Sequence, residues 1–121
     1  MNKAQGAVAP FALLVGVFLV VEGIWGLFSP VVFGVLTTNM LHACIHIVLG
    51  LLGIYTAMRH GARKWCMGVG VLIVVVGILR FVPGVGDILV SLLNVNQAVA
   101  ILNIVVGAVA LMLAKASPAN A

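Results

Sequence analysis

Four apolar stretches, residues 7–28, 39–58, 65–82 and 96–114, take up most of this 121-residue chain. Each is long enough, at about 1.5 Å per helical residue, to cross a hydrocarbon core of about 30 Å. Backbone N–H and C=O groups in lipid must be satisfied within the segment, so spans of this kind are helices. With 64% hydrophobic and 7% charged residues, the chain has too little polar surface to cover a soluble particle. The expected fold is all-α: a single polytopic domain over residues 1–121, a four-helix transmembrane bundle.

The breaks between the stretches agree. Pro10 stands near the start of the first helix, where its missing N–H costs little. Ser29-Pro30, Arg59-His60-Gly61 and Pro83-Gly84 end the first three. The short connections make sequential helices antiparallel neighbours. Residues 83–94 are moderately apolar and suit the outer membrane interface, and 116–121 reads as a loosely ordered tail. The first stretch is too long for a signal peptide's apolar region and carries Glu22, so it is expected to stay as an uncleaved helix.

The chain repeats itself. Val15-Gly16-Val17-Phe18 and Glu22-Gly23-Ile24 align with Val69-Gly70-Val71-Leu72 and Val76-Gly77-Ile78 at an offset of 54. Asn39, His46 and Gly50 align with Asn96, Asn103 and Gly107 at an offset of 57. Two hairpins entered from the same side form a parallel repeat, with a pseudo-two-fold axis along the membrane normal. Stripes of small residues at Gly16, Gly23 and Gly26, Gly50 and Gly53, Gly70, Gly77 and Gly107 are the expected close-packing faces.

Thr38-Asn39-Met40-Leu41-His42 with His46 and Gly50 follows a first helix ending Gly23-Ile24-Trp25-Gly26 and precedes a basic hairpin. This pattern resembles a family of small bacterial four-span membrane proteins filed as a domain of unknown function. The resemblance extends from about Val8 to Ala114, and Asn103 stands where a second histidine is usual in the family. It implies a fold and a bacterial membrane location, and no activity.

Glu22 is the carboxylate inside the first span. A charge in hydrocarbon is costly and turns toward a protein interior or a wet cavity, where it finds a partner. The available polar groups are Asn39, His42, His46, Arg80, Asn96 and Asn103. Asn39, His42 and His46 step by three and four along one helical face, and Asn96 and Asn103 repeat it on the fourth helix. Counted at about 1.5 Å per residue, Glu22, His46 and Asn103 lie near one level, roughly 10 Å below the outer surface. His42 and Arg80 lie above them, with Arg80 able to reach down or to snorkel toward Asp87.

Three readings of this layer stay open. It is structural, with Glu22 paired to Arg80 or a histidine and Asn103 bonded to His46. It is a cation or proton site built on Glu22 and His46. Or it is a metal or tetrapyrrole site using His42, His46 and Glu22, with no cofactor favoured. An i, i+4 histidine pair is a weak metal signal without the intervening glutamate of zinc helices, and the residues between are Ala43, Cys44 and Ile45. Val99 and Asn103, the counterparts of His42 and His46, add no strong ligand from the other repeat.

Lys3, Arg59, Arg63, Lys64 and Lys115 fall on one side of a four-span chain, which by the positive-inside rule makes both termini and the 59–64 loop cytoplasmic. Cations this scattered do not form a nucleic-acid surface. His60 reads as a solvated helix end, and Trp25 and Trp65 as interfacial anchors. Cys44 and Cys66 stand at different depths, too far apart for a disulfide. No phosphate loop, nucleophile–base pair or paired catalytic carboxylates occurs, so no enzyme is expected. The sequence points to a bacterial inner-membrane protein that is an accessory subunit, with lipid, other membrane-protein subunits or its own copies as partners. A ligand-binding module is the alternative.

Overall fold

All four apolar stretches are helices in the computed structural model, which describes residues 6–118 and 121. Helix α1 runs Val8–Gly26, α2 Met40–Met58, α3 Ala62–Leu79 and α5 Gln97–Ala116, and each is long and apolar enough to cross a membrane. Two further elements join them. A two-stranded ribbon, β1 (Val31–Val32) and β2 (Leu36–Thr37), lies between α1 and α2. Residues 83–94 hold a short helix, α4 (Val85–Leu93).

The ribbon turns at Phe33 and Gly34, whose φ angles are 55° and 72°. Glycine adopts that conformation freely, whereas a side-chain-bearing residue loses roughly 1–2 kcal/mol. Ring contacts offset the cost: Phe33 stacks on Phe18 at 5.6 Å and meets Trp25 edge-on at 4.8 Å. They fold the ribbon back over α1.

α1 packs chiefly on α2, and α3 on α5, so the molecule is two tight hairpins with a looser seam between them. A Cβ on Gly50 would stand 2.5 Å from the Gly16 carbonyl oxygen, and one on Gly107, its repeat equivalent, would stand 2.8 Å from that of Gly70. Gly23 meets the Ala43 carbonyl and Ile47; Gly77 meets the Ala100 carbonyl and Ile104. These contacts of the first hairpin thus recur in the second at equivalent positions. Only glycine permits backbones this close.

The core has two parts. At the basic end, Val8, Ala12, Ala57, Cys66, Val69 and Ala114 cluster around Trp65. At the other end Val32, Leu36, Val95, Val99 and Ala100 pack beneath the ribbon. Trp65 corrects the expectation of an interfacial anchor: it is 7% exposed, and its Nε1–H donates to the Leu49 carbonyl at 3.0 Å. Its ring fills the space that the missing side chain of Gly53 leaves open. Trp25 remains at the surface. Cys44 is exposed, Cys66 is buried, and both are free thiols. At the end of α5 Ser117 Oγ donates to the Leu113 carbonyl, and Ala121 is buried against the basic-end core, so these two residues are more tightly held than a loose tail.

Candidate functional site

Much of the polar chemistry is spent on tying the cap end together. Asn39 and Asn96 are helix N-caps, each Oδ1 accepting a backbone N–H at 2.9 Å, from His42 and Val99 respectively. Each Nδ2 crosses to the other hairpin: Asn39 donates to the Leu92 carbonyl and Asn96 to the Val35 carbonyl, both at 2.8 Å. Positions 35 and 92 are themselves related by the offset of 57, so the two straps are reciprocal. Between them Thr37 Oγ1 donates to the Asn94 carbonyl at 2.6 Å and accepts from the Asn96 N–H, while Asn94 Nδ2 donates to the Thr38 carbonyl at 2.8 Å. Sequence reasoning missed Thr37 and Asn94. The signal was the same offset, which pairs them as it pairs Asn39 with Asn96.

Two further members of the expected layer also end on backbone. Arg80 does not pair with Glu22; its Nε–H donates to the Val95 carbonyl at 2.7 Å. Arg80 caps the end of α3, beside the non-helical link into α5, where Val95 has a carbonyl that no helix uses. His42 Nδ1 lies 3.0 Å from the Leu93 carbonyl, an oxygen that can only accept, so that nitrogen carries the proton and donates. Asn39, Asn96, Arg80 and His42 are therefore fastenings of the cap rather than partners of the carboxylate.

Glu22 meets His46. The close approach at Gly23 brings α1 against Ala43 and Ile47 of α2, and their chain neighbours face each other. His46 Nδ1 and Glu22 Oε1 stand 3.0 Å apart, and Glu22 is 5% exposed. The His42 ring lies edge-on to that of His46, with centroids 4.2 Å apart. Asn103 does not bond His46: among the described residues its amide has no hydrogen-bond partner. Among the described residues, no three His, Cys, Asp or Glu side chains form a group suited to a metal ion, so Glu22, His42 and His46 do not make a three-ligand set.

Cavities flank the pair. One of about 250 Å³ lies in the seam, lined by Leu14, Phe18, Ile73, Leu102 and Val106, with Glu22, His46 and Asn103 as its polar groups. A smaller one, about 120 Å³, lies between His42 and Val76 and shares His46 and Asn103 with the first. The lining of the larger includes Leu14 of α1, which is 72% exposed. This is an apolar chamber with three polar side chains in its wall.

Four spanning helices around an inward-facing carboxylate–imidazole pair define a small multi-pass membrane protein. The chain belongs to the family described as Domain of unknown function (DUF4383), whose model matches residues 9–116. No curated protein and no solved structure matches it.

Proposed function

We propose that the chain is an accessory subunit of the bacterial inner membrane. It packs against other membrane-protein subunits, or further copies of itself, and performs no catalysis of its own. The observation behind this reading is where the polar side chains go. Asn39, His42, Asn96 and Arg80 are all tied to backbone within the cap, which leaves the outer faces of the helices apolar. On α2 Leu41, Ile45, Val48, Leu52 and Tyr55 follow one exposed stripe at helical spacing. Its repeat counterpart on α5 includes Val105, Val109 and Met112, which are exposed as well.

The orientation with both termini and the 59–64 loop cytoplasmic draws on the basic end. Arg59 caps the end of α2, Arg63 and Lys64 stand in the first turn of α3 and Lys115 in the last turn of α5, and Arg63 Nε donates to the Ala114 carbonyl at 2.9 Å. Lys3 lies outside the described residues.

A photo-crosslinking residue at Val48 or Val105, activated in native membranes, should give discrete species of higher mass. The same group at buried Ala43 should not. Lipid adducts alone at both exposed positions would exclude the subunit role. A second reading, an intramembrane binding module, is favoured by the placement of Glu22 and His46 on a cavity wall.

A further inference from the structure

The larger cavity combines three properties found together nowhere else among the described residues. Its body is apolar, its lining reaches the exposed Leu14 of α1, and its polar atoms belong to a carboxylate, an imidazole and an amide. We propose that it is a binding site for a membrane-soluble quinone or its quinol, entering from the bilayer between α1 and α5, ring inward and apolar tail toward Leu14.

Size comes first. An apolar cavity of about 150 Å³ takes up benzene, so about 250 Å³ accommodates a substituted six-membered ring. Phe18, Ile73 and Val106 supply the apolar walls such a ring needs. The polar atoms then select for ring oxygens. The Asn103 amide has no partner among the described residues and offers both a donor and an acceptor. His46 uses Nδ1 on Glu22, which leaves Nε2 without a hydrogen bond among the described residues. A neutral His46 accepts from a quinol hydroxyl at Nε2; a protonated one donates to a quinone carbonyl there. Glu22 holds the imidazole in register for either task.

An acyl chain would fill the apolar body and leave Asn103 and His46 Nε2 without partners, a costly arrangement away from water. A metal ion would need a third ligand that the site does not assemble. A ring bearing oxygens satisfies both the walls and the polar atoms.

The test uses the full-length protein in phosphatidylcholine nanodiscs, titrated with a decyl-tailed benzoquinone. Tryptophan quenching and retention of quinone absorbance with the protein on gel filtration are the readouts. Saturable binding at one equivalent is expected. Asn103→Leu, which removes the amide at similar volume, and Val106→Phe, which fills the chamber, should each weaken it about tenfold or more, the size of one lost hydrogen bond of about 1.4 kcal/mol. Val48→Phe, on the exposed face of α2, should bind as the parent does. Circular dichroism identifies a variant that fails to fold, and the other then carries the comparison. Absence of saturable binding, equal affinity in all variants, or equal competition by a decyl compound lacking the ring would each overturn the proposal.

Discussion

Glu22 is the residue most exposed to error in this fold, because its nearest partner is a single imidazole nitrogen 3.0 Å away. Replacing Glu22 by Gln keeps an oxygen for the His46 Nδ1–H to donate to; replacing it by Ala removes the acceptor and leaves a void. Glu22→Gln should lower stability by less than about 1 kcal/mol and Glu22→Ala by about 1–3 kcal/mol, read from detergent unfolding curves. Equal losses would mean that charge, not the hydrogen bond, holds the pair. The strap asparagines divide in the same way. Asn39→Asp and Asn96→Asp preserve the Oδ1 cap but delete the Nδ2 donors to Leu92 and Val35, whereas the alanine variants lose both. A cap costs about 0.5–2 kcal/mol to remove. The alanine variants should therefore be the less stable, by amounts that match between positions 39 and 96 because the reciprocal bonds do.

Helices in this molecule are held by approach distance. A methyl group on Gly50 would lie 2.5 Å from the Gly16 carbonyl oxygen, and one on Gly107 2.8 Å from that of Gly70; Gly68, also mid-helix, has nothing within 4 Å of where its Cβ would be. Gly50→Ala and Gly107→Ala should each destabilise by about 1–3 kcal/mol through forced separation of the helices. Gly68→Ala should be neutral, or stabilising by up to about 1 kcal/mol from helix propensity. Thermal melts of the three variants side by side separate packing from propensity, and a destabilised Gly68→Ala would contradict this account of the glycines.

The molecule as a whole is two hairpins, fastened by polar bonds at the cap end, by the Trp65 core at the basic end, and open along the seam between. That arrangement suggests where to probe orientation. Gly61 has φ 95°, and a Cβ on Gly86 would collide with the Arg80 carbonyl, so neither tolerates a label. His60 and Ser91 are exposed at opposite ends. With Cys44 and Cys66 replaced by alanine, His60→Cys should react only with a reagent that crosses the membrane and Ser91→Cys with an impermeant one. Labelling of both from the same side is incompatible with four spans.

Much was legible in the sequence alone, because it depends on local periodicity. Span length, the glycine stripes and the offsets of 54 and 57 are properties of spacing along a helix, and hydrocarbon leaves the backbone no alternative to intrahelical bonding. Glu22 and His46 were placed at one depth by counting residues. What counting could not decide was which groups would touch. Asn39 and Asn96 lie on the same stripes as His46 and Asn103, yet at the first turn an amide caps the helix, while further in it faces the seam. Arg80 is long enough to reach Glu22, but a free carbonyl at Val95 stands nearer. Trp65 reads as an anchor until the empty space at Gly53 is in view. The ribbon exists because the Phe33 ring finds Phe18 and Trp25, a gain invisible to strand propensity in so short a segment. Pairing between side chains depends on separations across the fold, and those were set only when the hairpins closed.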